Sequence, residues 1–276
     1  MNKSSLGSAL RELRESSGKE AKAVARGAAM SCSKLSKIEN GNTAPSVTDV
    51  DCILTAIGVS DGVKAEYMAA AREAATEVTA WRLIRRLGYS RKQQQVQALE
   101  SQTALLRLFQ PSLVPGLLQT PEYVRAVFAR RNLTDEQLER TVGARLARQS
   151  VLYSEGKAFR FIITESVLRW RIIPPLMMVG QLDRLISASR LPNVDIRVVA
   201  LSTPQVDFPG HSFSIRDERT VTIETVHAET VVTDPRDVAL YVAKFEGFAA
   251  MAVSGDVMRA MLEAIRDELL REQETG

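Results

Sequence analysis

Residues 29–46 read AMSCSKLSKIENGNTAPS, and the reading of this stretch decides the fold of the N-terminal third. Wound as a helix, it places Ser33, Ser36, Lys37 and Asn40 on one face, with Cys32 at its edge, and only Leu35 and Ile38 opposite. A core helix would carry a wider apolar stripe. A solvated helix would favour more Glu and Ala. Ser31 stands where an N-cap hydroxyl can accept an orphan backbone N–H. Met30 and Leu35 are spaced for a hydrophobic staple. Gly41 follows Asn40 where a left-handed residue closes a helix. A helix on so narrow an anchor protrudes, and small donors plus Lys suit entry into a major groove. Periodicity alone fits a solvated helix equally well.

Working outward, Leu6, Leu10 and Leu13 recur on one helix face, which stops at Ser16, Ser17 and Gly18. A short helix fits 20–26, with Val24 and Ala25 inward. Ser46 is placed to cap a fourth helix carrying Val47, Val50, Ile53, Leu54 and Ile57. A fifth begins near Asp61. The spacing predicts an all-α domain over 1–78.

The run from Ser31 to Gly41, SCSKLSKIENG, with Pro45 and Ser46 behind it, resembles the helix-turn-helix of the XRE family, the fold of phage repressors and Cro. The likeness extends over 6–57. It implies double-stranded operator DNA as partner, with Ser31 capping the recognition helix and Ser36 on its outer face. It puts Cys32, Ser33 and Lys37 at base-reading positions and Lys34 and Asn40 at phosphates. It also sets Arg14 opposite Glu39 as a buried pair supporting that helix. Two residues depart from the family. Glu20 and Ala21 stand where Thr-Gln is usual, and Cys32 is too short for the bidentate base contacts of Gln or Arg. That shifts discrimination toward Lys37 and DNA shape.

The 276 residues carry 36 Lys and Arg against 33 Asp and Glu, a formal charge of +3 that permits a nucleic-acid partner without demanding one. No apolar run reaches the ~20 residues of a membrane span, and the N-terminus lacks the pattern of a signal peptide. Cys32 and Cys52 are the two cysteines, too few for a disulfide framework, so a cytoplasmic protein is expected. With two histidines, no metal site is expected. Glu165, His211, Glu224, His227 and Glu229 are scattered. No nucleophile elbow or phosphate-cradling loop accompanies them, so neither catalysis nor a cofactor is expected.

Residues 79–95 read as a basic linker. Arg82, Arg85, Arg86, Arg91 and Lys92 could touch phosphate, or simply be solvated. Beyond it, helices are predicted over 97–109, 121–131, 135–151, 174–189, 235–252 and 255–271. Strands are predicted over 159–163, 194–201, 213–215, 221–226 and 230–232. The expected class is α+β: an all-α helix-turn-helix domain, then a mixed helix and sheet domain over 96–276.

The stretch SLVPGLLQTPEYVRA (112–126) resembles the C-terminal domain of actinobacterial antitoxin-like regulators. Echoes occur at Leu99-Glu100, Arg148-Gln149, 165–169 and 180–186. That resemblance implies a small protein partner encoded by a neighbouring gene. Two functions stay open: a dimeric transcriptional regulator receiving its signal through the C-terminal domain, or an antitoxin-like module that neutralises the small partner. A domain larger than dimerisation requires also leaves room for a small-molecule effector. The stripe Val257, Met261, Leu262, Ile265, Leu269 and Leu270 on the last helix fits a homodimer contact or packing within its own subunit.

Overall fold

The computed structural model describes residues 3–275, with side chains described except at 3–5, 73, 77, 78, 80, 82, 83 and 275. The chain forms two compact units, Met1–Val78 with Thr230–Ala239, and Thr79–Glu229 with Leu240–Gly276.

The first unit holds α1 (Lys3–Ser16), α2 (Ala21–Gly27), α3 (Cys32–Glu39), α4 (Val47–Ile57) and α5 (Asp61–Ala74). Their apolar stripes meet in one core, where Leu10, Leu35, Ile38, Val50, Ile53 and Leu54 are fully buried. Ser46 accepts a hydrogen bond from the Asp49 N–H at 3.1 Å while the Asp49 carboxylate accepts from the Ser46 N–H at 3.1 Å, a reciprocal box that starts α4.

The second unit is built on a mixed sheet. After β1 (Thr76–Ala80), which straddles the boundary, it holds α6 (Trp81–Leu87), α7 (Tyr89–Gln102), β2 (Leu105–Gln110), α8 (Pro121–Ala129), α9 (Asp135–Ala147), β3 (Ala158–Thr164), α10 (Glu165–Arg169), α11 (Pro175–Ala188) and β4 (Val194–Val199). The chain ends with β5 (Phe213–Arg216), β6 (Thr220–Glu224), β7 (Ala228–Val232), α12 (Pro235–Met251) and α13 (Gly255–Thr275). Within this unit the strand order is β6-β5-β2-β3-β4. β2, β3 and β4 run parallel, and β5 and β6 are antiparallel. The fold is thus α+β, an all-helical N-terminal region ahead of a region of mixed sheet and helices.

Two local expectations change, and one reading left open in the sequence takes its place. The helix predicted over 97–109 ends at Gln102, and 105–110 becomes β2, between β5 and β3. A central strand covered on both faces reads as a short apolar run, which periodicity cannot separate from a helix turn. Residues 79–95, read as a linker, fold into α6 and α7. There Ile84 and Tyr89 pack on Val124, Phe128 and Val142. Arg85, Arg86 and Arg91 are exposed, Lys92 pairs with Glu229 at 2.6 Å, and the side chain of Arg82 lies outside those described. Finally, α13 packs on α11 within its own unit, burying Leu262, Ile265 and Leu269, while Val257 faces outward.

Candidate nucleic-acid interface

The turn between α2 and α3 sets the site. α2 ends when the N–H groups of Ala29 and Met30 return to the carbonyls of Arg26 (3.2 Å) and Ala25 (2.9 Å). This motif requires a left-handed residue, and Ala29 fills the position at φ 52°. Ser31 then caps α3, accepting from the Lys34 N–H at 3.1 Å. At the other end Asn42 and Gly41 donate to the carbonyls of Lys37 (2.8 Å) and Ile38 (3.0 Å), with Gly41 at φ 70°. Both ends of this eight-residue helix are therefore closed.

Leu35 and Ile38 anchor α3 in the core. Ser31, Cys32, Ser33, Lys34, Ser36, Lys37 and Asn40, the seven residues singled out in the sequence, are all exposed. They are not equivalent. Lys34 Nζ reaches Asp49 Oδ1 at 2.6 Å, which ties it to α4. Burial alone would raise the Asp49 pKa, but hydrogen bonds from Lys34 and Ser46 outweigh it and hold the carboxyl below its ordinary range. Asn40 donates to the Ser36 carbonyl at 2.8 Å and accepts from Arg11 at 3.4 Å, so its amide is oriented from two sides. Among the described residues, the Lys37 ammonium has no hydrogen-bond or ion-pair partner. It is the free cation of the face. The hydroxyl of Ser33 and the thiol of Cys32 offer short, weakly discriminating contacts beside it.

Two contacts fix the tilt of α3. Arg14 grips Glu39 in a fork, Nε to Oε1 at 2.7 Å and Nη2 to Oε2 at 3.0 Å, with the side chains 12% and 7% exposed. The hydrogen bond to Glu39 raises the Arg14 pKa further, against a smaller effect of burial. Gly7 lies against the end of α3, where a Cβ would collide with the Ile38 carbonyl oxygen. Sequence reading missed Gly7, because close helix approach leaves no periodic signal.

The second unit holds a buried polar lattice at 112–126. Gln119 donates to the Val114 carbonyl (2.7 Å) and Gln149 to the Gln119 carbonyl (2.7 Å). Gln181, fully buried, donates to the Leu118 carbonyl and accepts from the Thr120 N–H, both at 2.8 Å. The motif is thus a buried loop whose backbone groups are satisfied by three glutamines. Of the acid–base candidates, Glu224 and Glu229 line one cavity, while Glu165 and His211 lie elsewhere. Glu165 accepts from Arg169 and from the Leu201 N–H, and His211 meets Tyr241.

A family model described as a domain of unknown function (DUF5753) matches residues 93–264, more than half of the chain. The chain belongs to the DUF5753 family. A helix-turn-helix domain matches residues 5–67, from α1 to the middle of α5. No curated protein matches the chain. Among solved structures, one similar chain is TrmBL2, an archaeal chromatin protein described as showing a novel mode of DNA binding. It is 15% identical with a TM-score of 0.34, and the match covers 70% of this chain and 60% of that one. NucT from Helicobacter pylori is 11% identical with a TM-score of 0.38, covering 65% and 98%. Nuc of Salmonella typhimurium, a phospholipase D family member, is 12% identical with a TM-score of 0.36, again covering 65% and 98%. No helix among the described residues is long and apolar enough to cross a membrane.

Proposed function

We propose that this chain is a cytoplasmic, sequence-specific DNA-binding transcriptional regulator of the XRE type. It acts as a homodimer and receives its signal through the DUF5753 domain. The observation that carries the reading is α3 itself. It is a short helix with both ends closed, anchored by Leu35 and Ile38, presenting small donors around an unpartnered Lys37. Such a face suits base edges in a major groove. The helix-turn-helix match over 5–67 supports it. The test is footprinting of the purified protein on the DNA upstream of its own gene. Protection of two half-sites about one helical turn apart is the expected result, and uniform protection at every site would overturn the reading.

A second reading is an antitoxin-like module that neutralises a small protein encoded nearby. Exposed apolar side chains on the loop before β5 favour it, with Val206 81% and Phe208 75% accessible. Co-purification of the neighbouring gene's product with the tagged protein, lost in a Val206→Ser/Phe208→Ser double variant, would support it.

A further inference from the structure

The second unit encloses a cavity of about 160 Å³ between α7, α8, α9 and strands β2 and β5. Its lining is unusually cationic for an interior: Lys92, Arg131, Arg145, Arg148 and Arg216 against Glu100, Glu224 and Glu229. Two of the cations are neutralised in place. Arg148 forks onto Glu100, and Lys92 pairs with Glu229.

Arg145 and Arg216 are not neutralised. Arg145 donates only to neutral amide oxygens, Nε to Gln93 at 2.7 Å and Nη1 to Gln119 at 3.3 Å. Gln93 is already shared with Arg148. The Arg145 guanidinium lies 5.0 Å from the centre of the Phe128 ring and against Gly116, where a Cβ would run into it. Arg216 donates from Nη1 to Thr222 at 2.8 Å, while its buried Nε has no acceptor. Among the described residues, neither guanidinium forms an ion pair with a carboxylate. Burial pushes both pKa values down, that of Arg145 to about 10 with help from the Arg148 charge, which leaves Arg145 protonated at neutral pH.

Enclosing two unpaired cations is costly, and an apolar replacement would remove the cost. Amide oxygens orient a guanidinium without cancelling its charge, which keeps it available to an anion. The rest of the lining mixes apolar and aromatic side chains, Tyr89, Phe128, Phe213 and Leu106 among them, with neutral polar ones such as Gln110, Ser214 and Thr222. An engineered cavity of about 150 Å³ accepts benzene, so the volume here admits a ring-sized body.

We propose that this cavity binds a small organic anion, a carboxylate or phosphate head on a ring-sized apolar body, with the head held by Arg145 and Arg216. Its role as the regulatory input rests on the function proposed above. Binding itself does not, because the test contains no DNA. The probes are benzoate, phenyl phosphate and the neutral benzyl alcohol, added to the full-length protein at matched ionic strength while its melting temperature is followed. At roughly ten times its Kd, a ligand of the native state raises Tm by about 3–5 °C.

A saturable rise with benzoate assigns a carboxylate, and one with phenyl phosphate assigns a phosphate, provided benzyl alcohol produces none. Arg145→Gln and Arg216→Gln should each weaken that binding at least tenfold. If one variant fails to fold, the other decides. The proposal fails if neither anion moves Tm at about 10 mM, if benzyl alcohol moves it equally, or if the shift survives in both variants.

Discussion

In the function proposed above, Lys37 is the side chain on which discrimination turns, because its neighbours on α3 are short and Lys34 is already held by Asp49. A Lys reaching a base edge contributes about 1–3 kcal/mol of specific affinity. Lys37→Ala should therefore lower affinity for operator by that amount while leaving random DNA nearly unchanged, in parallel titrations at one salt concentration. Equal losses on both DNAs would remove α3 from the role of reader. Ala29 is the residue whose conformation works against the fold. An L-residue in the left-handed region costs roughly 1–2 kcal/mol, and glycine returns part of that through greater freedom in the unfolded chain. Ala29→Gly should stabilise the protein by about 0.5–1 kcal/mol, a net of those two effects. Thermal or urea melting would show it, and no gain would mean that neighbouring contacts already accommodate the Ala29 φ of 52°.

At the scale of elements, the angle of α3 depends on one ion pair and one close approach. Arg14→Met leaves the Glu39 carboxylate buried without a partner, a change that typically costs about 3–5 kcal/mol. Melting should reveal the loss, and operator binding should fall with it as α3 tilts. A variant that melts like wild type would show that water replaces the guanidinium. In the second unit, Gln181→Leu keeps the bulk but strands the Thr120 N–H and the Leu118 carbonyl. Each unsatisfied buried group costs about 1–3 kcal/mol, so a loss of about 2–4 kcal/mol in urea unfolding is expected. The helices of the first unit were legible because each writes its own apolar stripe and cap: Ser31, Ser46, and the Leu6, Leu10 spacing are local signals. β2 was not legible, since Leu105 to Phe109 becomes a strand only through its position between β5 and β3. The exposed face of α3 was legible as an oddity in a short window. The cavity around Arg145 was not, because its lining comes from seven separated segments whose only shared property is three-dimensional.

At the scale of the whole molecule, a single helix-turn-helix reads only a few base pairs, and two linked heads multiply affinity through effective concentration. The first unit has little apolar surface left for pairing, since α1 to α5 turn their stripes into one core formed from residues 6–75. Dimer contacts are therefore expected from the second unit. They will not come from the centre of α13, whose Met258, Leu262 and Ile265 are buried against the unit's own helices and sheet. Exposed Trp170, Leu176 and Met177 lie close together in the chain and remain accessible. The full-length protein should sediment as a dimer at micromolar concentration. A fragment of residues 1–80 keeps its core but loses the hydrogen bonds of Thr233 to the Ala75 carbonyl. It should sediment as a monomer, with operator affinity falling at least a hundredfold, within the range expected when two linked sites become one. Trp170→Ser with Leu176→Ser should dissociate the full-length dimer without unfolding either unit. A monomeric full-length protein, or a dimeric 1–80 fragment, would move the pairing surface into the helix-turn-helix domain and leave the larger domain with a sensing role alone.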